Sequence, residues 1–183
     1  MIRLVILVAL SSLVSQLAVA QSPVKRMKSG PVITGYGDFF AVDNLDKQVD
    51  TSLVYKVIFD IPSSPENKEQ VNPGINTIAR FLNMHADAGV PLKNLQVAAI
   101  VHGSAIKDIV NNEAYRQRFA SDNPNYPLIQ QLHEAGVEFY ICGQTAVNRN
   151  ILDHEIATPV QVALSAMTVL IELQANNYQL IKF

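Results

Sequence analysis

The sequence predicts an α/β fold, a three-layer sandwich in which a mostly parallel sheet carries helices on both faces. Three observations predict it. Runs of β-formers at Leu53 to Ile61, Leu95 to Val101 and Val137 to Cys142 each stop at proline, glycine or a polar loop, as buried strands do. Between them lie stretches with apolar residues three and four apart, and strands alternating with helices are joined by right-handed crossovers into a parallel sheet. The chain then closes on a strongly apolar helical stretch and a short terminal run.

The first 20 residues stand apart from this pattern. Met1-Ile2-Arg3 supplies a positive start, Leu4 to Leu10 and on through Leu13-Val14 is apolar, and Ala18-Val19-Ala20 offers small residues where a signal peptidase cuts. Residues 1–20 therefore read as a secretory signal cleaved after Ala20, which places the mature protein in the periplasm or outside the cell. Ser11, Ser12, Ser15 and Gln16 make the apolar run too short and too polar for a comfortable membrane span, and no membrane partner is expected after cleavage. Residues 21–52 show no sustained period. They read as an extended arm that lays Val32, Ile33, Tyr36, Phe39 and Phe40 over the core or a neighbouring subunit.

Residues 53–183 form the expected domain. Leu53 to Ile61 is its first strand, stopped by Pro62-Ser63-Ser64-Pro65. Apolar spacing over Lys68 to Ala88 predicts a helix that begins near Pro73, because proline is tolerated in a first helical turn. Leu95 to Val101 is the second strand, followed by helical patterns at Ala105 to Val110 and Tyr115 to Phe119. A stripe of Leu128, Ile129, Leu132 and Ala135 ends at Gly136 in a C-cap role. The strand Val137 to Cys142 and a brief helix, Gln144 to Ile151, come next. Thr158-Pro159 reads as the start of the last helix, whose body Val160 to Leu173 is apolar nearly all round and is expected to be covered on more than one side. Tyr178 to Phe183 is the final strand.

Composition excludes several function classes. The 14 basic and 16 acidic side chains form no basic block, so neither a nucleic-acid track nor an anionic membrane surface is expected. No paired C-x-x-C, H-E-x-x-H, nucleophile elbow, Walker loop or dinucleotide glycine fingerprint occurs, and no metal or cofactor is expected. The Asp153-His154-Glu155 cluster resembles a ligand set in composition alone, since sequence neighbours rarely face one point.

The chemistry is expected at Cys142, the only cysteine, at the carboxyl end of its strand, where ligands of open α/β sheets usually sit. Gly143-Gln144-Thr145 after it offers free backbone N–H groups to a thiolate, and the glycine permits close approach of a ligand or another backbone. Free cysteines are also among the most buried residues, so a packing role stands beside the reactive one. His102 ends the Leu95 to Val101 strand at the same sheet edge, as a proton-shuttling helper or as a structural cap. Gly103 and Ser104 after it, with Gly143 and Gln144, are the candidate walls of a ligand pocket. Asp60 either joins this edge or caps the turn into Pro62.

The runs Y-K-V-I-F-D-I, L-Q-V-A-A-I-V-H-G and G-V-E-F-Y-I-C-G-Q-T, with the ending A-L-S-A-M-T-V-L-I-E-L-Q-A-N-N-Y-Q-L-I-K-F, resemble the DsrE/DsrF-like (YchN-like) family over Leu53 to Phe183, in an exported form. The resemblance implies a compact α/β fold, homo-oligomers that are commonly trimers or hexamers, and a cysteine that carries persulfide in a sulfur relay; the matching position is Cys142. A sulfur carrier exchanging sulfur with donor and acceptor proteins is the first functional expectation. A non-catalytic ligand-binding or assembly module is the second, and metal or haem ligation by Cys142 with His102 is the third.

Overall fold

The computed structural model describes residues 26–182, so the expected signal at 1–20 lies outside them. Five strands form one parallel sheet in the order β6-β5-β4-β3-β7: β3 (Tyr55–Ile61), β4 (Leu95–Val101), β5 (Glu138–Cys142), β6 (Val160–Ala163) and β7 (Gln179–Ile181). Two short strands, β1 (Met27–Lys28) and β2 (Phe39–Phe40), pair antiparallel within the arm. The helices are α1 (Pro73–Asp87), α2 (Asn112–Phe119), α3 (Tyr126–Glu134), α4 (Gly143–Asn148) and α5 (Ala166–Ala175).

The central strand β4 has both faces covered, which is why its sequence is a continuous apolar run and not an alternating one. Val57, Phe59, Val97, Val101, Phe139 and Ile141 point to one face and pack with residues of α1 and α3, including Ile75, Ile78, Leu82, Leu128 and Leu132. Ile58, Ala98, Ile100 and Cys142 point to the other, where Ala166 and Val169 of α5 cover them. Helix α1 begins at Pro73, with the Asn72 side chain accepting from the Gly74 N–H.

The end of the chain departs from the sequence expectation. Thr158-Pro159 does not open a helix: Val160–Ala163 is strand β6, paired with β5, and α5 starts only at Ala166. Short apolar runs fit strand and helix alike, and the neighbouring β5 edge decided the matter. Ser165 is the true cap, its hydroxyl accepting from the Thr168 N–H at 3.1 Å. Within one chain α5 is covered on one side only. Ala166 and Val169 are buried, whereas Met167 is 71 % and Ile171 67 % exposed.

The arm is strapped to α1 by the Asn83 amide, with Asn76 accepting from the Gly37 N–H, Arg80 donating to the Asp38 carbonyl and Asp87 pairing with Lys28. Asn83 is fully buried, and its Oδ1 accepts from the N–H groups of Val32 and Ile33 while its Nδ2 donates to the carbonyls of Ile33, Tyr36 and Gly37. Ile33 and Phe39 are buried beneath the strap. The arm therefore covers the core of its own chain, one of the two alternatives open in the sequence.

Candidate functional site: a thiol at the sheet's switch point

Strand β5 ends on Cys142, and the next residue begins α4, whose Ala146 joins the α1/α3 side of the core. The neighbouring strand β6 leaves instead for the opposite face through α5. Adjacent strands whose connections leave to opposite faces define a switch point, the usual ligand crevice of an open α/β sheet. Cys142 stands at that point. The pleat aims its side chain to the α5 face, together with Ile100 and Ala98 of β4.

Cys142 is 5 % exposed. Burial pushes the Cys142 thiol up, but the Thr145 hydroxyl and the backbone N–H groups of Thr145, Ala166 and Gln144 act against it, and together they hold the thiol below its ordinary value. The donors come from two elements: Gln144 and Thr145 lie in the first turn of α4, and Ala166 opens α5. Folding has turned N–H groups left unpaired at two helix starts toward one sulfur.

Gly143 serves the approach of another backbone. A Cβ there would meet the Ala163 carbonyl oxygen at 2.6 Å, so the β6–α5 connection passes directly beside it. The Gln144 amide donates to the Leu164 carbonyl at 3.4 Å and ties the same connection down. Gly103 and Ser104 turn to the other neighbour, β3. Gly103 has φ +59 with the Pro62 carbonyl where a Cβ would lie, and Ser104 donates its N–H to that carbonyl at 3.0 Å. Of the four expected wall residues, two adjoin Cys142 and two lock the loop after β3.

His102 follows the Val101↔Ile141 register pair by one residue, which sets it level with Cys142 on the adjacent strand. Its ring does not bond to the sulfur among the described hydrogen bonds. Nε2 lies 2.7 Å from Oδ1 of Asp60, a buried carboxylate on β3 whose other oxygen is 3.3 Å from the Lys182 ammonium. A carboxylate only accepts, so Nε2 donates and Nδ1 is left as the unprotonated nitrogen of the neutral ring. Asp60 thus joins the edge by holding His102.

Sequence reading placed the Gln144 and Thr145 N–H groups beside the sulfur but missed the Thr145 hydroxyl and the Ala166 N–H. The Thr145 hydroxyl was legible in principle, because it stands three residues after the residue that precedes α4, where capping partners sit. Ala166 carried no signal: a backbone donor 24 positions away in sequence meets Cys142 only through the crossover. The Asp153-His154-Glu155 cluster disperses. Glu155 turns inward to pair with Arg118, which also donates to the Asn150 carbonyl, while the His154 carbonyl accepts from Asn111.

A parallel sheet wrapped by helices, with a cysteine at its switch point, defines an α/β protein with a thiol-bearing edge site. Residues 56–183 match the DsrE/DsrF-like family, and the chain belongs to it. Among solved structures it is similar to the ychN protein of E. coli (12 % identity, TM-score 0.52) and to a protein of unknown function, MTH1491, from Methanobacterium thermoautotrophicum (17 % identity, TM-score 0.54). Each similarity covers 70 % of this chain and 99 % of the other, and at such identities it speaks for the fold. No curated protein sequence matches the chain.

Proposed function

We propose that this protein is an exported sulfur carrier of the DsrE/DsrF-like family that holds sulfane sulfur on Cys142. The observation that carries the reading is the set of donors from α4 and α5 turned to one sulfur, since a thiolate and not a thiol is the nucleophile. The Cys142 thiolate attacks the outer sulfur of a persulfide R–S–SH; the S–S bond breaks, R–S⁻ leaves, and Cys142 carries the –S–SH group. Transfer to an acceptor thiolate is the same exchange in reverse, with no oxidant or reductant. His102, fixed by Asp60, is the helper: its free Nδ1 takes up a proton from solvent and passes it to the departing thiolate.

The signal at residues 1–20 supports periplasmic or secreted action, and the exposed apolar face of α5 supports a homo-oligomer, a trimer or hexamer by family resemblance. The test is the pH dependence of Cys142 alkylation in the folded protein, followed by mass spectrometry after treatment with a low-molecular-weight persulfide. Alkylation with a midpoint below that of a free thiol and one added sulfur on Cys142 are the expected results. A thiol that reacts only after unfolding would overturn the carrier reading. The near-complete burial of Cys142 favours a second reading, in which the residue lines a small-ligand or assembly site without turnover.

A further inference from the structure

A second cleft, of about 530 Å³, opens beside the loop after β3 and draws its walls from four separate segments. Lys68, Lys107, Arg118 and Arg149 all line it, although the chain as a whole carries a net charge of -2. Two of these cations are anchored from behind. The Lys107 ammonium lies 2.5 Å from the fully buried Asp108 carboxylate, which Asn72 also holds at 2.7 Å. Arg118 meets both oxygens of Glu155, with Nη2 at 2.9 Å from Oε2. These carboxylates offset two of the charges but fix the donors in place, which lowers the ordering cost of binding.

Lys68 and Arg149 have no carboxylate partner among the described residues, and both are exposed; Lys68 instead lies 5.6 Å over the Phe119 ring. The serines supply neutral donors. Ser104 Oγ already accepts from the Ser64 N–H at 3.1 Å, which leaves its own O–H free to donate, and the buried Ser64 Oγ has no partner among the described residues. A buried hydroxyl without a partner is uncommon and points to a ligand or water that satisfies it. Ile106, Phe119 and Ile151 form an apolar wall of the same cleft. Glu66 lies at the cleft as its one opposing carboxylate not already ion-paired.

We propose that this cleft binds a dianionic oxyanion group carried on a small organic molecule, with Lys68, Arg149 and the two serine hydroxyls as its ligands and the apolar wall beside its organic part. Guanidinium and ammonium donors on a phosphate-like group are charge-assisted and among the stronger hydrogen bonds. Neither Cys142 nor His102 lines the cleft, and binding there requires no chemistry at the thiol.

Amide NMR titration of the full mature protein with phenyl phosphate and with inorganic phosphate, at low and high salt, tests it. Shifts are expected at Ser64, Lys68, Ser104 and Arg149, with phenyl phosphate the tighter ligand. Lys68→Ala and Arg149→Ala should each weaken binding about tenfold or more, and Glu66→Gln should tighten it. All three residues are exposed and outside the core, so the fold is expected to tolerate these changes. Inorganic phosphate binding as tightly as phenyl phosphate would overturn the organic part of the proposal. Absence of binding at millimolar ligand, or affinity unchanged by both alanine variants, would overturn the site itself.

Discussion

Asp60 on β3 holds His102 beyond the end of β4 through a 2.7 Å bond to Nε2, across a register in which Asp60 pairs with Ile100. The contact selects the ring's tautomer and turns the imidazole away from a direct bond to Cys142. A ring so held differs from one merely capping a loop, because its free nitrogen has a defined direction.

Long-range ¹H–¹⁵N spectra should show neutral His102 protonated at Nε2, and Asp60→Asn should mix the two tautomers, because an amide can either donate or accept. A wild-type ring protonated at Nδ1 would remove the basis for assigning Nδ1 as the shuttle.

The titration of Cys142 is expected to depend on Thr145 and not on His102. Thr145→Val removes the hydroxyl that helps hold the thiol low, so the alkylation midpoint should move to higher pH. His102→Ala should leave that midpoint in place and slow sulfur transfer to an acceptor thiol. A midpoint moved by His102→Ala and not by Thr145→Val would reverse the roles assigned here.

The arm should depend on Asn83. Asn83→Ala strands five backbone groups of residues 32 to 37 in a largely buried place, and a loss of roughly 3 kcal/mol is expected from denaturant unfolding. Asn83→Asp keeps the acceptor and loses the donors, so limited proteolysis should then cut the arm before the domain.

Acid sensitivity follows from Glu155, whose carboxyl the Arg118 guanidinium holds below its ordinary value of 4.5. A depressed carboxyl pKa contributes stability that is complete above the unfolded value and is lost as pH falls through the folded one. Stability should therefore decline below about pH 4.5, and Arg118→Met should flatten that part of the profile. An unchanged acid limb in Arg118→Met would show that the pair contributes nothing there.

The exposed face of α5 should hold copies of the chain together. Met167→Glu with Ile171→Glu places two charges on this face without touching Ala166 or Val169, so the protein should fall to a monomer in light-scattering chromatography while retaining its circular dichroism. A wild-type monomer would remove the oligomer from the proposed function.

The sequence by itself determined the α/β class, four of the five parallel strands, the start of α1 at Pro73 and the place of Cys142 at the carboxyl end of a strand. These are local matters. A continuous run such as L-Q-V-A-A-I-V reports burial on both faces, and a lone cysteine before a glycine reports its own place at the strand end. Only the tertiary structure decided that Val160–Ala163 is a strand, because helix and strand suit four apolar-rich residues equally until a β5 edge offers hydrogen bonds. It also decided that His102 bonds Asp60, that the Ala166 N–H faces Cys142, and that four cations from distant segments share one cleft. Each of these joins groups far apart in the chain, and crossover geometry, which no local pattern encodes, brings them together.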